Sequence, residues 1–273
     1  MSVIAISRGS LSAASKLAAG LGEKLGATVI TREEVIEAAE RYGLHETGLR
    51  EKDILEQHPP GFWEQYSDAR KHYLVCFKAA LLDAITQGSI IYHGNLAHVL
   101  LDDIPSVLRV RINAPVEDRV KMLMDQEGVS RSDAIDKVRE IDQRRKRWTQ
   151  FLYDAETRSP VLFDLVLNIG KMSIEDGIEL VASEAQKPQF RTDEQAMKVI
   201  RDSHLAAVAE TYLMHFPGTY ALDFDVSADS ATRRVIIGGT IATKDIKSLE
   251  KEIYSALAGC DLIDKIEIQV STR

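Results

Sequence analysis

The chain opens on an apolar run, Val3-Ile4-Ala5-Ile6, then a small polar turn, then an Ala/Leu-rich helical pattern ending near Gly26. Short apolar runs bounded by turn residues keep alternating with stretches of helical period, which marks strands exchanging with helices. A strand is expected over 27–30 and a helix over 32–42, with Thr31 as its cap and Glu33 and Glu34 in the first turn. Residues 43–62 are polar, with His58-Pro59-Pro60-Gly61 as a breaker. From 62 to 87 the positions Tyr66, Ala69, Tyr73, Phe77, Ala80, Leu81 and Ala84 recur at helical spacing, leaving Arg70, Lys71 and His72 on a polar face. A strand over 89–92 stops at His93-Gly94-Asn95, and a short helix follows over 96–101. The strand 107–112 is ended by Asn113-Ala114-Pro115. A helix over 117–127 is closed by Gly128, and Ser130 restarts another, with Asp133 as a weak capping-box partner. A fifth strand over 163–168 and a helix over 173–185 capped by Ser173 complete this part.

The pattern changes after the polar joint 187–192, which contains Pro188. A helix over 193–215, strands over 220–227 and 234–242, a helix over 245–257 and a strand over 265–270 form an α-β-β-α-β unit. Gly238-Gly239 inside the second of these strands marks a bulge or a close backbone approach. Two domains are therefore expected. Residues 1–187 form an α/β domain with a parallel sheet flanked by helices, and 193–273 form a small α+β domain. In such sheets ligands bind at the C-terminal strand ends, where Gly9, Gly94 and Asn113 lie.

A formal charge of -8 argues against a general nucleic-acid or anionic-membrane binder. No segment approaches a membrane span and the start has no secretory pattern, so a cytoplasmic protein with small-molecule or protein partners is expected. Two cysteines and seven histidines show no ligand spacing, and no metal ligand is assigned. No G-x-S-x-G motif is present, which speaks against a serine hydrolase.

Two stretches carry candidate chemistry. A buried strand, a small-residue turn and a helix start, as in Arg8-Gly9-Ser10-Leu11-Ser12-Ala13-Ala14-Ser15-Lys16, is a geometry that holds phosphate on backbone N–H groups. The strict pattern G-x-x-x-x-G-K-[ST] is broken, because Ala14 and Ser15 stand where Gly and Lys belong and Lys16 comes one place late. A phosphate loop and an ordinary strand-to-helix turn both remain open on the residues alone. The second stretch is the cluster Arg139, Arg144, Arg145, Lys146 and Arg147, offset only by Glu140 and Asp142. These cations repel one another unless an anion arrives, and Arg forks match phosphate oxygens. Asp142 and Arg145, at i and i+3, share a helix face on which the acid can orient the guanidinium. Arg119, six residues past a strand end, either points toward the same mouth or pairs with Glu117 or Asp118. His93 reads as a structural turn histidine or as a site residue beside Gly94.

The order of these pieces resembles the cytidylate kinase-like family, a branch of the P-loop nucleoside monophosphate kinases. The residues that carry the resemblance are Ile4-Ala5-Ile6-Ser7-Arg8, Tyr92-His93-Gly94, Arg111-Ile112-Asn113-Ala114-Pro115 with Arg119, Glu127-Gly128-Val129-Ser130, Asp142-x-x-Arg145, and Phe163–Asn168 with Gly170. The resemblance covers about residues 1–185 and implies a P-loop fold. In it Arg8, Gly9, Ser10, Ser12, Ala14, Ser15, Lys16 and Asn168 would hold ATP with Mg²⁺. Residues 31–87 would form the acceptor region, with Arg70, Lys71, His93, Gly94 and Asn95 toward the acceptor nucleotide. The helix with Asp142, Arg144 and Arg145 would act as a lid, joined by Arg119 in phosphoryl transfer to a CMP-like pyrimidine nucleotide. Two departures stand out: the Gly-rich loop has become Ser10-Leu11-Ser12-Ala13-Ala14-Ser15, and Gly94 is followed by Asn95 rather than by Arg. The alternative reading is a catalytically impaired nucleotide-binding or sensing protein coupled to a C-terminal ligand- or partner-binding module. Residues 193–273 resemble a BON domain on Val235–Ile241 and Ala258-Gly259-Cys260, which implies attachment to a ligand or a surface, with a protein partner or a second copy of the chain as the partners expected there.

Overall fold

The computed structural model describes residues 1–8, 11–44, 67–94, 97–153, 159–242 and 245–272. In chain order the elements are β1 (Val3–Arg8), α1 (Leu11–Leu25), β2 (Thr28–Thr31), α2 (Arg32–Ala39), a 3₁₀ turn (Glu40–Tyr42), α3 (Ser67–Thr86), β3 (Ile90–Gly94) and α4 (Ala97–Leu100). They continue with β4 (Val107–Asn113), α5 (Val116–Glu127), α6 (Arg131–Tyr153), β5 (Leu165–Asn168), α7 (Ile174–Ala185), α8 (Glu194–His215), β6 (Asp225–Asp229), β7 (Arg234–Ile241), α9 (Ile246–Leu257) and β8 (Lys265–Thr272).

Two compact units result. The first is built on a five-stranded sheet in the order β2-β3-β1-β4-β5, every pair parallel. Val3, Ile4, Ala5 and Ile6 of β1 are all buried, because a central parallel strand is covered on both faces. Ile4, Ile6, Leu108, Val110 and Ile112 share one core with Leu17 and Leu21 of α1 and Val181 of α7. Ser173 caps α7 by a full capping box with Asp176. Before α6, Ser130 Oγ accepts from the Asp133 amide at 3.2 Å, as the sequence signal requires.

The second unit holds residues 33–44 and 67–87 together with 193–272. Its sheet runs β6-β7-β8, antiparallel then parallel, and α9 and α8 cover it through Leu205, Ala209, Leu213, Val235, Ile237 and Ile253. Helix α3 packs along α8. α2, the 3₁₀ turn and α3, sequence neighbours of the parallel sheet, group with this second unit apart from the first residue of α2.

Three of the boundaries that differ from the periodicity have a cause in the hydrogen bonding. Strand β3 runs on through His93 and Gly94, which pair with Ile6 and Ser7, so the ladder rather than the turn residues sets its end. The strand expected over 220–227 begins at Asp225, because the amides of Thr219 and Tyr220 turn back onto the Phe216 carbonyl. The helix expected over 32–42 tightens into 3₁₀ geometry after Ala39 and stops at Gly43. Gly238-Gly239 is a close approach, since a Cβ at Gly239 would lie 3.3 Å from the Asp223 carbonyl oxygen.

Candidate functional site

The register of the parallel sheet lines up its C-terminal ends. Ser7 stands opposite Gly94 on one side and Arg111 on the other, Thr31 opposite His93, and Asn113 opposite Asn168. Helix α1 starts at Leu11, just beyond the end of β1, so its positive pole belongs to this row.

Polar contacts link the row. Arg111 Nε donates to Asn113 Oδ1 at 3.0 Å, and Asn113 Nδ2 donates to Asn168 Oδ1 at 3.3 Å. The Arg111 guanidinium lies 5.6 Å from the centre of the Phe163 ring, a cation–π arrangement. Arg111 and Asn113 had a legible signal: charged and polar side chains at alternate positions of an otherwise apolar inner strand, Val107–Asn113. Arg109, two residues earlier, is structural. Its guanidinium forks onto Asp164 at 3.0 and 3.1 Å and reaches Asp102 at 3.1 Å, and the hydrogen bond to Asp164 raises its pKa further.

Gly94 has a packing reason. A Cβ there would meet the hydroxyl of Tyr92, two residues back on the same face, at 2.1 Å, and Tyr92 is fully buried. His93 is buried within β3.

In α1, Ala14 is completely buried in the core, while Ser15 and Lys16 are exposed. Lys16 could replace a loop lysine only if the helix began late; instead it begins at Leu11 and Lys16 lies in the second turn. Ala14 likewise spends its side chain on the core. Gly9, Ser10 and Asn95 lie outside the described residues, as do the side chains of Arg8, Ser12, Arg144 and Arg145.

Arg119 is buried and binds Asp142 in a fork, Nη1 to Oδ2 at 2.8 Å and Nη2 to Oδ1 at 2.7 Å. Both carboxylate oxygens of Asp142 thus hold α6 onto α5. Arg119 thus pairs with Asp142 rather than with Glu117, which accepts from Arg131 at 2.8 Å, and the pairing expected of Asp142 with Arg145 falls on a side chain outside the described residues. Of the residues expected at the acceptor, Arg70 and Lys71 lie on α3 in the second unit, and His93 and Gly94 in the first. Lys71 pairs with Asp223 and donates to the Leu222 carbonyl at 3.4 Å. Among the described residues, no group of three His, Cys, Asp or Glu side chains could hold a metal ion, and no helix is long and apolar enough to cross a membrane.

Comparison with known proteins fits this architecture. Over 101 residues, 37% of this chain, it is 28% identical to Cytidylate kinase of Pyrococcus horikoshii, of which the match spans 51%. Over a stretch of the same length it is 29% identical to Uronate isomerase of Corynebacterium glutamicum, of which it spans 19%. The chain therefore spans about half or less of these relatives. An uncharacterized protein from Eubacterium ventriosum shares the fold at a TM-score of 0.51 and 19% identity, over 67% of this chain and 96% of the other. The Cytidylate kinase-like family model matches residues 3–171, from the first strand past the fifth and through the cationic helix, and the chain belongs to that family.

Proposed function

We propose that the chain transfers a phosphoryl group from ATP to a nucleoside monophosphate, with a CMP-like pyrimidine nucleotide as acceptor. The observation that carries this reading is the Arg119–Asp142 fork, which fastens the arginine-bearing helix α6 to the helix leaving the row of strand ends. Family membership across both parts supports it.

Phosphoryl transfer asks little covalent chemistry of a protein. It needs in-line positioning and cations around the migrating group. In this reading Arg144 and Arg145 supply that charge, since guanidinium stays protonated throughout. Arg119 is a positioning residue, because two of its nitrogens are committed to Asp142. Asn113 and Asn168 line the nucleotide end of the row, and the start of α1 offers backbone N–H groups to phosphate. Mg²⁺ would come bound to the triphosphate and keep most of its waters. The C-terminal α-β-β-α-β unit is read as BON-like on its element order.

The test is calorimetric titration with ATP·Mg²⁺ and then CMP, followed by an ADP-release assay, on the wild-type chain and on Arg145→Ala. The reading expects CMP-dependent ADP release that falls about 10²–10³-fold in the variant. Binding without release would overturn transfer, and faster release with a purine monophosphate would overturn the acceptor.

A further inference from the structure

Within the second unit, the 3₁₀ turn, the C-terminal half of α8 and the end of α9 enclose a cleft of about 490 Å³. That lies inside the range of small-molecule sites, which are mainly apolar with a few placed polar groups. We propose that this cleft binds a small ring-bearing monoanion, such as an aromatic carboxylate or sulfonate. The site belongs to a different unit from the strand-end row, and its occupancy does not depend on the phosphoryl-transfer reading.

The lining supports that chemistry. Tyr42, Tyr212, His215 and Phe216 supply rings, and Val208 and Leu262 supply apolar surface. The rings are held. His215 Nδ1 lies 2.6 Å from the Thr211 carbonyl, which can only accept, so Nδ1 carries the proton. Gly43, at φ +89°, lets the backbone pass against the same imidazole, where a Cβ would be 2.5 Å away. Tyr212 donates to the Gly259 carbonyl at 3.3 Å. Both phenols stay neutral at physiological pH: burial pushes Tyr212 up, and burial with the nearby Asp83 carboxylate pushes Tyr42 up to about 12.

Charge selects the ligand further. Arg41 is the cation of the cleft. Its Nη2 reaches Asp83 at 3.3 Å and its Nε the Ala38 carbonyl at 3.4 Å. Its side chain is 67% exposed, so further guanidinium donors face solvent. Asp261, also in the lining, stands against the several charges of a polyphosphate. Tyr212 and Leu262 are 37% and 48% exposed, so apolar surface stands open for a ring to cover.

Anilinonaphthalene sulfonate, a ring-bearing monoanion, is the probe, titrated into the full chain near neutral pH with fluorescence readout. One saturable site is expected, with a melting temperature that rises with dye concentration. Leu262→Glu and Arg41→Glu, both at exposed positions, should each weaken binding at least tenfold, about 1.4 kcal/mol, with unchanged circular dichroism. A reading free of variants is hydrogen exchange: the dye should slow the amides around 259–262 in the wild-type chain. Non-saturating binding, a melting temperature that stays or falls, affinity unchanged in both variants, or no protection at 259–262 would each overturn the proposal.

Discussion

A methyl group on Gly94 would lie 2.1 Å from the Tyr92 hydroxyl oxygen and 2.4 Å from the ring carbon that bears it. Tyr92 is 1% exposed and has nowhere to retreat. Gly94→Ala should therefore cost about 1–3 kcal/mol in urea unfolding, as overpacking does, whether or not nucleotide is present. A glycine kept only for close approach of a phosphate would instead lose affinity and leave stability alone. The same distinction applies to Lys16. Exposed in the second turn of α1, it should leave ATP affinity unchanged when replaced by Ala, as read by calorimetry. A large loss would place the lysine at the phosphates after all.

At the scale of elements, the fork between Arg119 and Asp142 is the joint between α5 and α6. Asp142→Asn leaves a buried guanidinium without its counter-charge, at a cost of about 2–3 kcal/mol, below the fully buried case because Asp142 is partly open to water. Arg119→Met with Asp142→Asn should cost less than the sum of the two single changes, and a double-mutant cycle in urea measures the difference. This joint was not legible in the sequence, because its two partners stand 23 residues apart on different helices and no local spacing brings them together. What depends on local chemistry was legible. Ser130 and Ser173 cap the helices their hydroxyls can reach, and the apolar runs of β1 and β4 became buried central strands. Boundaries set by non-local pairing were not, as at β3, where the ladder with β1 carries the strand through Gly94. Among the site residues, Gly94 and Asn113 were legible at strand ends. Arg111 was visible as a charge in an apolar strand and at the head of a motif, but its Phe163 partner is supplied by the fold.

For the molecule as a whole, the division into two units groups α3 with the C-terminal elements, although more than a hundred residues of the other unit intervene in the chain. In native-state hydrogen exchange with rising urea, the amides of α3 should lose protection together with those of α8, and separately from β1, β3 and β4. If α3 opened with the parallel sheet instead, the grouping would be wrong. Within the second unit, His204 gives the opening a pH dependence. Its Nε2 lies 3.3 Å from the Tyr42 hydroxyl, and its ring meets the Tyr42 ring edge-on at 6.4 Å. Burial lowers its pKa, against a smaller opposing pull from the Asp83 carboxylate. The unfolded chain then binds a proton more readily than the folded one, so stability is complete above the unfolded value of about 6.5 and declines as pH falls through it. Protonation would place a cation in a half-buried joint between the 3₁₀ turn and α8, loosening α8 from the segment that carries Tyr42. The urea midpoint for protection of α3 and α8 should therefore drop between about pH 7.5 and about pH 5.5, while that of β1 and β4 changes less. His204→Gln keeps a partner for the Tyr42 hydroxyl but cannot titrate, and should remove most of that difference. An equal pH dependence in the variant would assign the effect to other groups.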